Sequence, residues 1–269
     1  MFNPTSKKCI NIALDLGVFG DRGFSKGIED LKKALPQILA GKPDVIQLNP
    51  GGLKIFNKLK SKSDVSIALR LDVTNVYEPR DIDYAWDTAN IAALDFAQDS
   101  KVACVVLNLL NFDENARLQE QCIENIQAIA PRAKKMGIPL MVEPLVMTAK
   151  PGAGSTSVGD VNKIAALVRQ AVELGADIIK VDATTPMTDF HQVVEIASGV
   201  PVLVRGGGQV SPQELLERTR IAMDAGASGV VYGRNVVQHP TPAQFIKSIR
   251  AIVHKNALVV DALKIVEGK

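Results

Sequence analysis

Little in the sequence ties it to a metal, a membrane or a nucleic acid. Its three histidines, His191, His239 and His254, do not cluster, and none has ligand spacing. The three cysteines, Cys9, Cys104 and Cys122, are odd in number and far apart. That pattern lacks a zinc spacing and suggests reduced thiols in a cytoplasm. The formal net charge is only +2, with no block of like charges and no interleaving of aromatic and basic residues, so nucleic acid is not an expected partner. No apolar run approaches the ~20 residues of a membrane span. The opening Met1 to Lys8 is polar and reads as no signal segment. No G-x-G-x-x-G follows the first apolar segment, which counts against a doubly wound dinucleotide-binding sheet.

What is present is ordinary for a soluble enzyme: 269 residues, 46% hydrophobic and 22% charged. With no linker or low-complexity stretch, one domain spanning 1–269 is expected. Eight strand-like segments recur, mostly with helical segments between them. They are Cys9–Leu16, Asp44–Asn49, Val65–Val73, Ala103–Leu109, Pro139–Val146, Ala176–Asp182, Val200–Arg205 and Gly229–Gly233. Most are near-continuous apolar runs, as parallel strands covered on both faces require. Ser211-Pro212-Gln213-Glu214 reads as an N-cap, a first-turn proline and a capping-box glutamate, and Thr241-Pro242 opens another helix alike. Gly175 and Gly226 suit left-handed helix ends before the next strand. Eight β-then-α units predict an α/β fold, the (β/α)8 TIM barrel.

A barrel of this kind carries its chemistry at the carboxyl ends of its strands. Those ends hold Asp15, Gln47 and Asn49, Arg70 and Asp72, Glu143, Lys180 and Asp182, and Arg205. Strand alternation puts Arg70 with Asp72, and Lys180 with Asp182, on common faces. A lysine in an apolar strand either snorkels or is desolvated toward a neutral, nucleophilic amine. The sixth segment places Lys180 in that position. Glu143 is the first choice of general base, with burial raising its pKa toward neutrality. Asp15 orients substrate hydroxyls or assists carbinolamine steps, unless it merely caps the following loop. Asp182 is left out of the catalytic set, because a charged neighbour raises a lysine pKa. Asp72 is ambiguous.

Two glycine loops follow the seventh and eighth segments, Gly206-Gly207-Gly208 and Gly233-Arg234-Asn235, the second leading into one helical turn. Glycines let backbone N–H groups approach an anion closely, so these loops are a candidate phosphate site, with turn geometry alone as the plainer reading. Arg205 starts at the same rim. Arg70, on the far side of the ring, is a candidate for a distal anion, with rim salt bridges as the alternative. Pro151-Gly152-Ala153-Gly154-Ser155-Thr156-Ser157 reads as a lid or a plain loop.

The run Val200 to Gly207, with Ala225 through Gln238, resembles the archaeal-type class I fructose-bisphosphate aldolases of the DeoC/FbaB/LacD family. The lysine segment and Leu14-Asp15-Leu16-Gly17 are similar to the same family, and the resemblance spans essentially the whole chain. It implies a lyase of carbohydrate metabolism, glycolysis included: a homo-oligomeric cytoplasmic aldolase using a Schiff base on Lys180, with no metal and no cofactor. It implies reversible cleavage of a phosphorylated ketose, such as fructose 1,6-bisphosphate, into dihydroxyacetone phosphate and an aldehyde. The catalytic set is then Lys180, Glu143 and Asp15. The substrate-binding set is Arg70, Arg205, Gly206, Gly207, Gly233 and Arg234. Three departures stand out. Leu16 replaces the usual histidine after the first-strand aspartate, Leu145 stands where the acid-base tyrosine is matched, and the fourth segment lacks a lysine. Glu143 is more similar to the tagatose-bisphosphate aldolase branch. Alternatives are an aldolase for tagatose bisphosphate or for a sulfofructose or its phosphate, a phosphosugar isomerase or epimerase with Lys180 as electrophile, and a silent sugar-phosphate-binding protein.

Overall fold

The computed structural model describes all residues except 21, 60–62, 80, 151–153 and 269. Its strands are β1 (Cys9–Ala13), β2 (Val45–Leu48), β3 (Ser66–Arg70), β4 (Asp72–Thr74), β5 (Asp87–Ala89), β6 (Cys104–Phe112), β7 (Leu140–Lys150), β8 (Gly154–Ser157), β9 (Ile178–Val181), β10 (Val202–Arg205) and β11 (Gly229–Tyr232). Eight of them close in the order β1-β2-β3-β6-β7-β9-β10-β11, with β11 pairing back onto β1. Every pairing around the ring is parallel. Helices stand between successive strands, so the expected TIM barrel is the fold.

The period-2 alternation separates two cores. Residues turned outward, such as Ile10, Ile12, Leu69, Leu107, Val142, Ile179 and Val204, join the helices in one continuous cluster. Residues turned inward, including Cys9, Val45, Ala68, Cys104, Met141, Ile178 and Leu203, form a second cluster inside the barrel, with Met1 and Phe2 packed against it. Two residues further along six of the strands the interior turns polar, at Asn11, Gln47, Arg70, Glu143, Lys180 and Arg205, and on β6 it does so at Asn108, beyond Val106. That inversion puts the site's side chains on the inner wall of the closed barrel.

Local signals in the sequence account for several boundaries. Ser211 caps the helix Pro212–Asp224 by accepting from the Glu214 N–H at 3.2 Å. The Glu214 carboxylate accepts from Arg218 at 2.6 Å, so it pairs along the helix. The helix Pro242–Lys255 begins at its proline, although Thr241 makes no side-chain cap bond. Gly175 and Gly226 have φ of +97° and +92°, left-handed values that side-chain-bearing residues resist.

Two expectations change. The third segment does not run on to Val73. Its barrel strand ends at Arg70, and Asp72–Thr74 turns into an antiparallel hairpin with Asp87–Ala89. The apolar run continues across this break, so hydrophobicity alone gave no sign of it. The segment after the fifth strand is likewise not a plain loop: Gly154–Ser157 pairs antiparallel with the end of β7. The Pro151, Gly152 and Ala153 portion of the expected lid lies outside the described residues. Among the described residues, no helix is long and apolar enough to cross a membrane.

Candidate active site

Lys180 stands on β9, inside the barrel and almost fully buried, with its Nζ 2.8 Å from Glu143 Oε2 on the adjacent strand β7. Burial pushes the Lys180 amine below its ordinary value; Glu143 opposes that shift, and the Arg70 charge adds to it. The net direction matches the sequence reading, toward a neutral amine. For Glu143 the structure reverses the expectation. Burial alone would raise its pKa, but the Lys180 ammonium and the Arg70 and Arg205 guanidiniums overcome it and hold the carboxyl well below the usual range. Two of those three cations are arginines, which keep their charge across the pH range of interest.

Arg70, at the end of β3, is only 1% exposed and ties the polar layer together. Its Nε donates to Asp15 Oδ2 at 2.5 Å. Nη1 donates to Asp72 Oδ1 at 2.8 Å and to Asn108 Oδ1 at 2.9 Å. Nη2 donates to Glu143 Oε2. Four of its five N–H donors are thus spent on buried acceptors. These contacts are the salt-bridge alternative for Arg70: its fork is committed to the carboxylates of Asp15, Asp72 and Glu143. Asp72, first in the hairpin, also accepts from the Asn108 backbone N–H. Burial raises its pKa against the pull of Arg70.

Asp15 follows β1 and shares Oδ2 between Arg70 and Gln47, whose Nε2 donates at 2.7 Å. It makes no cap bond to the short helix Leu16–Phe19 that follows, so the capping role does not apply. Arg205, at the end of β10, donates from Nη1 to Asp182 Oδ2 at 3.3 Å, and its Nε lies 3.6 Å from Glu143 Oε1. Asp182 therefore partners Arg205, consistent with leaving it outside the catalytic set.

These groups open on one narrow cleft. Asp15, Arg70, Glu143, Lys180 and Arg205 line it together with Gly206, Gly207, Gly233 and Arg234. All nine sequence-predicted site residues therefore converge on one cavity. The glycine loop is shaped by Asn235, which the sequence reading did not single out. Its Nδ2 donates to the Gly206 and Gly208 carbonyls at 3.2 and 3.0 Å, and its Oδ1 accepts from the Val210 N–H at 2.9 Å. Gly206 spends its own N–H on the Val231 carbonyl, so it shapes the loop and its amide is not offered to an anion. Arg234 opens a single helical turn, Arg234–Val237. Its Nη2 donates to the Gly207 carbonyl at 3.3 Å, and its guanidinium lies 4.3 Å from the Phe24 ring centre. A further missed residue is Tyr77, from the turn between β4 and β5, which also lines the cleft. Among the described residues no group of three or more His, Cys, Asp or Glu side chains is arranged to hold a metal.

Known proteins resemble this chain in sequence and in fold. A model of the DeoC/LacD family aldolases matches residues 9–239. The chain is 32% identical over 263 residues to an uncharacterized aldolase of Saccharolobus solfataricus, covering 97% of this chain and 94% of the relative. It is 27% identical over 268 residues to a 2-amino-3,7-dideoxy-D-threo-hept-6-ulosonate synthase of Halobacterium salinarum, covering 96% and 95% of the two chains. Among solved structures it is similar to a Schiff base forming fructose-1,6-bisphosphate aldolase, with a TM-score of 0.75, 25% identity and coverage of 92% and 95%.

Proposed function

The chain belongs to the DeoC/LacD aldolase family, and on that premise we propose that it is a class I, metal-independent aldolase acting on a phosphorylated ketose. The observation that carries this reading is the buried Lys180 amine, lowered in pKa, facing a cleft rich in cations and held 2.8 Å from an ionised carboxylate. The neutral amine attacks the ketose carbonyl, and loss of water leaves an iminium. The iminium draws the electron pair of the breaking carbon–carbon bond and becomes an enamine. Glu143 takes and returns protons at Lys180 during carbinolamine formation and dehydration, since its Oε2 already accepts from Nζ. Asp15 orients substrate hydroxyls. Arg70 acts through both carboxylates as a positioning residue.

Gly207, Gly233 and Arg234 bind the phosphate nearest the ketose carbonyl, with Gly206 and Asn235 fixing the loop. Arg205 stands between that loop and Glu143 and adds positive charge to the same cleft. Fructose 1,6-bisphosphate is the first substrate to test; tagatose bisphosphate and a sulfofructose phosphate are close alternatives. A phosphosugar isomerase fits less well, because it makes no use of Lys180 as a nucleophile, the role that its lowered pKa suits. The test is a cleavage assay over the three ketoses, with the aldehyde product measured directly. Release of aldehyde from any of them supports the reading; interconversion of ketose and aldose without cleavage contradicts it.

A further inference from the structure

The cleft contains one proton-bearing group with no part in the scheme so far. Tyr77 sits in the turn between β4 and β5, the hairpin that follows the third barrel strand. Its ring packs against Phe19 at 4.9 Å and Phe24 at 5.2 Å between ring centres, both from the segment after β1. On its other side, Gly154 lies so close that an added Cβ would come within 2.4 Å of the Tyr77 carbonyl oxygen. Tyr77 is thus wedged between the loops of the first and fifth barrel strands, and its hydroxyl reaches Arg205 on the seventh.

The hydrogen bond it makes there has a direction. Arg205 Nη2 donates to the Tyr77 hydroxyl oxygen at 3.4 Å. A guanidinium has no acceptor, so the Tyr77 proton cannot go back to it. Among the described residues the hydroxyl has no other hydrogen-bond partner. Its proton is therefore available to the cleft that Tyr77 lines with Lys180.

Glu143 and Asp15 do not fill this role equally well. Glu143 holds Lys180 and Arg70 through one oxygen and faces Arg205 with the other. Asp15 shares Oδ2 between Arg70 and Gln47. Both are held as acceptors by those contacts, and the protons that Glu143 handles are those of Nζ, so the proton for a developing alkoxide comes from another group. Tyr77 does, with a guanidinium beside it to stabilise the phenolate left behind.

We propose that Tyr77 is a catalytic residue, the acid-base group for the hydroxyl formed or lost at the scissile carbon–carbon bond. The proposal rests on the aldolase reading above. In the addition direction, the enamine pair on Lys180 forms the bond to the aldehyde carbon. The carbonyl π pair moves to oxygen and takes the Tyr77 proton, giving a hydroxyl, an iminium and a phenolate beside Arg205. Cleavage runs the same transfers backwards, the phenolate taking the hydroxyl proton.

Tyr77→Phe keeps the ring packing and removes only the hydroxyl. The experiment compares two reactions of one protein. Dihydroxyacetone phosphate alone is tested for borohydride-dependent inactivation, which needs Lys180 and no aldehyde. Addition to glyceraldehyde 3-phosphate is then measured. In Tyr77→Phe, trapping is expected to stay close to wild type while addition falls by about 10²–10⁴-fold. Addition at the wild-type rate overturns the proposal, and so does a parallel fall in trapping, which would mark a structural role. If the wild-type protein is not trapped at all, the aldolase reading itself fails, a result distinct from either.

Discussion

Lys180 and Glu143 stand side by side on adjacent strands of the barrel, Nζ 2.8 Å from Oε2, and each changes the other's proton affinity. The ionised Glu143 raises the Lys180 pKa, while burial and Arg70 lower it further than Glu143 restores. The pair therefore holds a largely desolvated amine beside a carboxylate that remains charged.

A pH profile reads this balance. The neutral amine is the nucleophile, so kcat/KM should rise with pH along a limb whose midpoint lies below the ordinary lysine value of 10.5. A midpoint at or above that value would contradict the burial argument. Stability follows the same sign. A lysine whose folded pKa is depressed costs stability at low pH, and the cost is relieved as pH rises from the folded toward the unfolded value.

Glu143→Gln removes the largest influence that raises the Lys180 pKa. The acidic limb should then move to lower pH, while turnover falls by about 10²–10⁴-fold through loss of the proton shuttle at Nζ. Schiff-base formation should persist at a reduced rate. The paired kinetic and mass-spectrometric measurement decides it: an unchanged turnover number would return Glu143 to a purely structural place.

Arg70→Met leaves Asp15, Asp72 and Glu143 without the guanidinium they share. Removing one partner of a buried charged set typically costs about 3–5 kcal/mol, so a large drop in unfolding free energy is expected. Burial already raises the Asp72 carboxyl, and without Arg70 to oppose it the folded pKa lies further above the unfolded one for this carboxyl and any other orphaned in the same way. Their penalty is present at neutral pH and shrinks as pH falls through those folded values, so the gap to wild type should narrow under mild acid. Arg70→Lys should rescue little, because an ammonium cannot reproduce the four-acceptor fork. Denaturant titrations at two pH values test both statements.

How much of this was legible beforehand differs by residue. The eight barrel strands were, because fully covered parallel strands are continuous apolar runs. The polar layer was too, since period-2 alternation brings Arg70, Glu143 and Lys180 to the inner face. That Arg70 meets Asp15, Asp72 or Glu143 was open as the alternative to anion binding. Choosing between the two depends on strand register, such as Asn108 opposite Glu143, that a single chain does not reveal. Arg70 is the buried tie between those carboxylates and not a rim residue. Tyr77 was hidden for another reason. It lies in a turn with no periodicity, and only closure of the barrel carries that turn over the cleft.

Arg234→Ala should weaken every substrate that carries the phosphate next to the ketose carbonyl. A charge-assisted contact is worth about 1.5–3 kcal/mol, so kcat/KM should fall roughly 10- to 150-fold on a bisphosphate and its 1-monophosphate alike. A loss confined to the bisphosphate would move Arg234 to the other end of the substrate.

Chelation offers a separate test of the chemistry. Turnover should be unchanged after prolonged dialysis against EDTA, because the electron sink is an iminium on Lys180. Activity lost on dialysis and restored by a divalent cation would contradict the scheme.

The covalent bond itself is the most direct test. Borohydride added with the ketose substrate should inactivate the protein and leave a reduced adduct on the peptide containing Lys180, identified by mass spectrometry. In Lys180→Met both the adduct and the cleavage activity should vanish while the fold persists. An adduct on a different lysine in that variant, or cleavage by wild type without any adduct, would contradict Lys180 as the Schiff-base nucleophile.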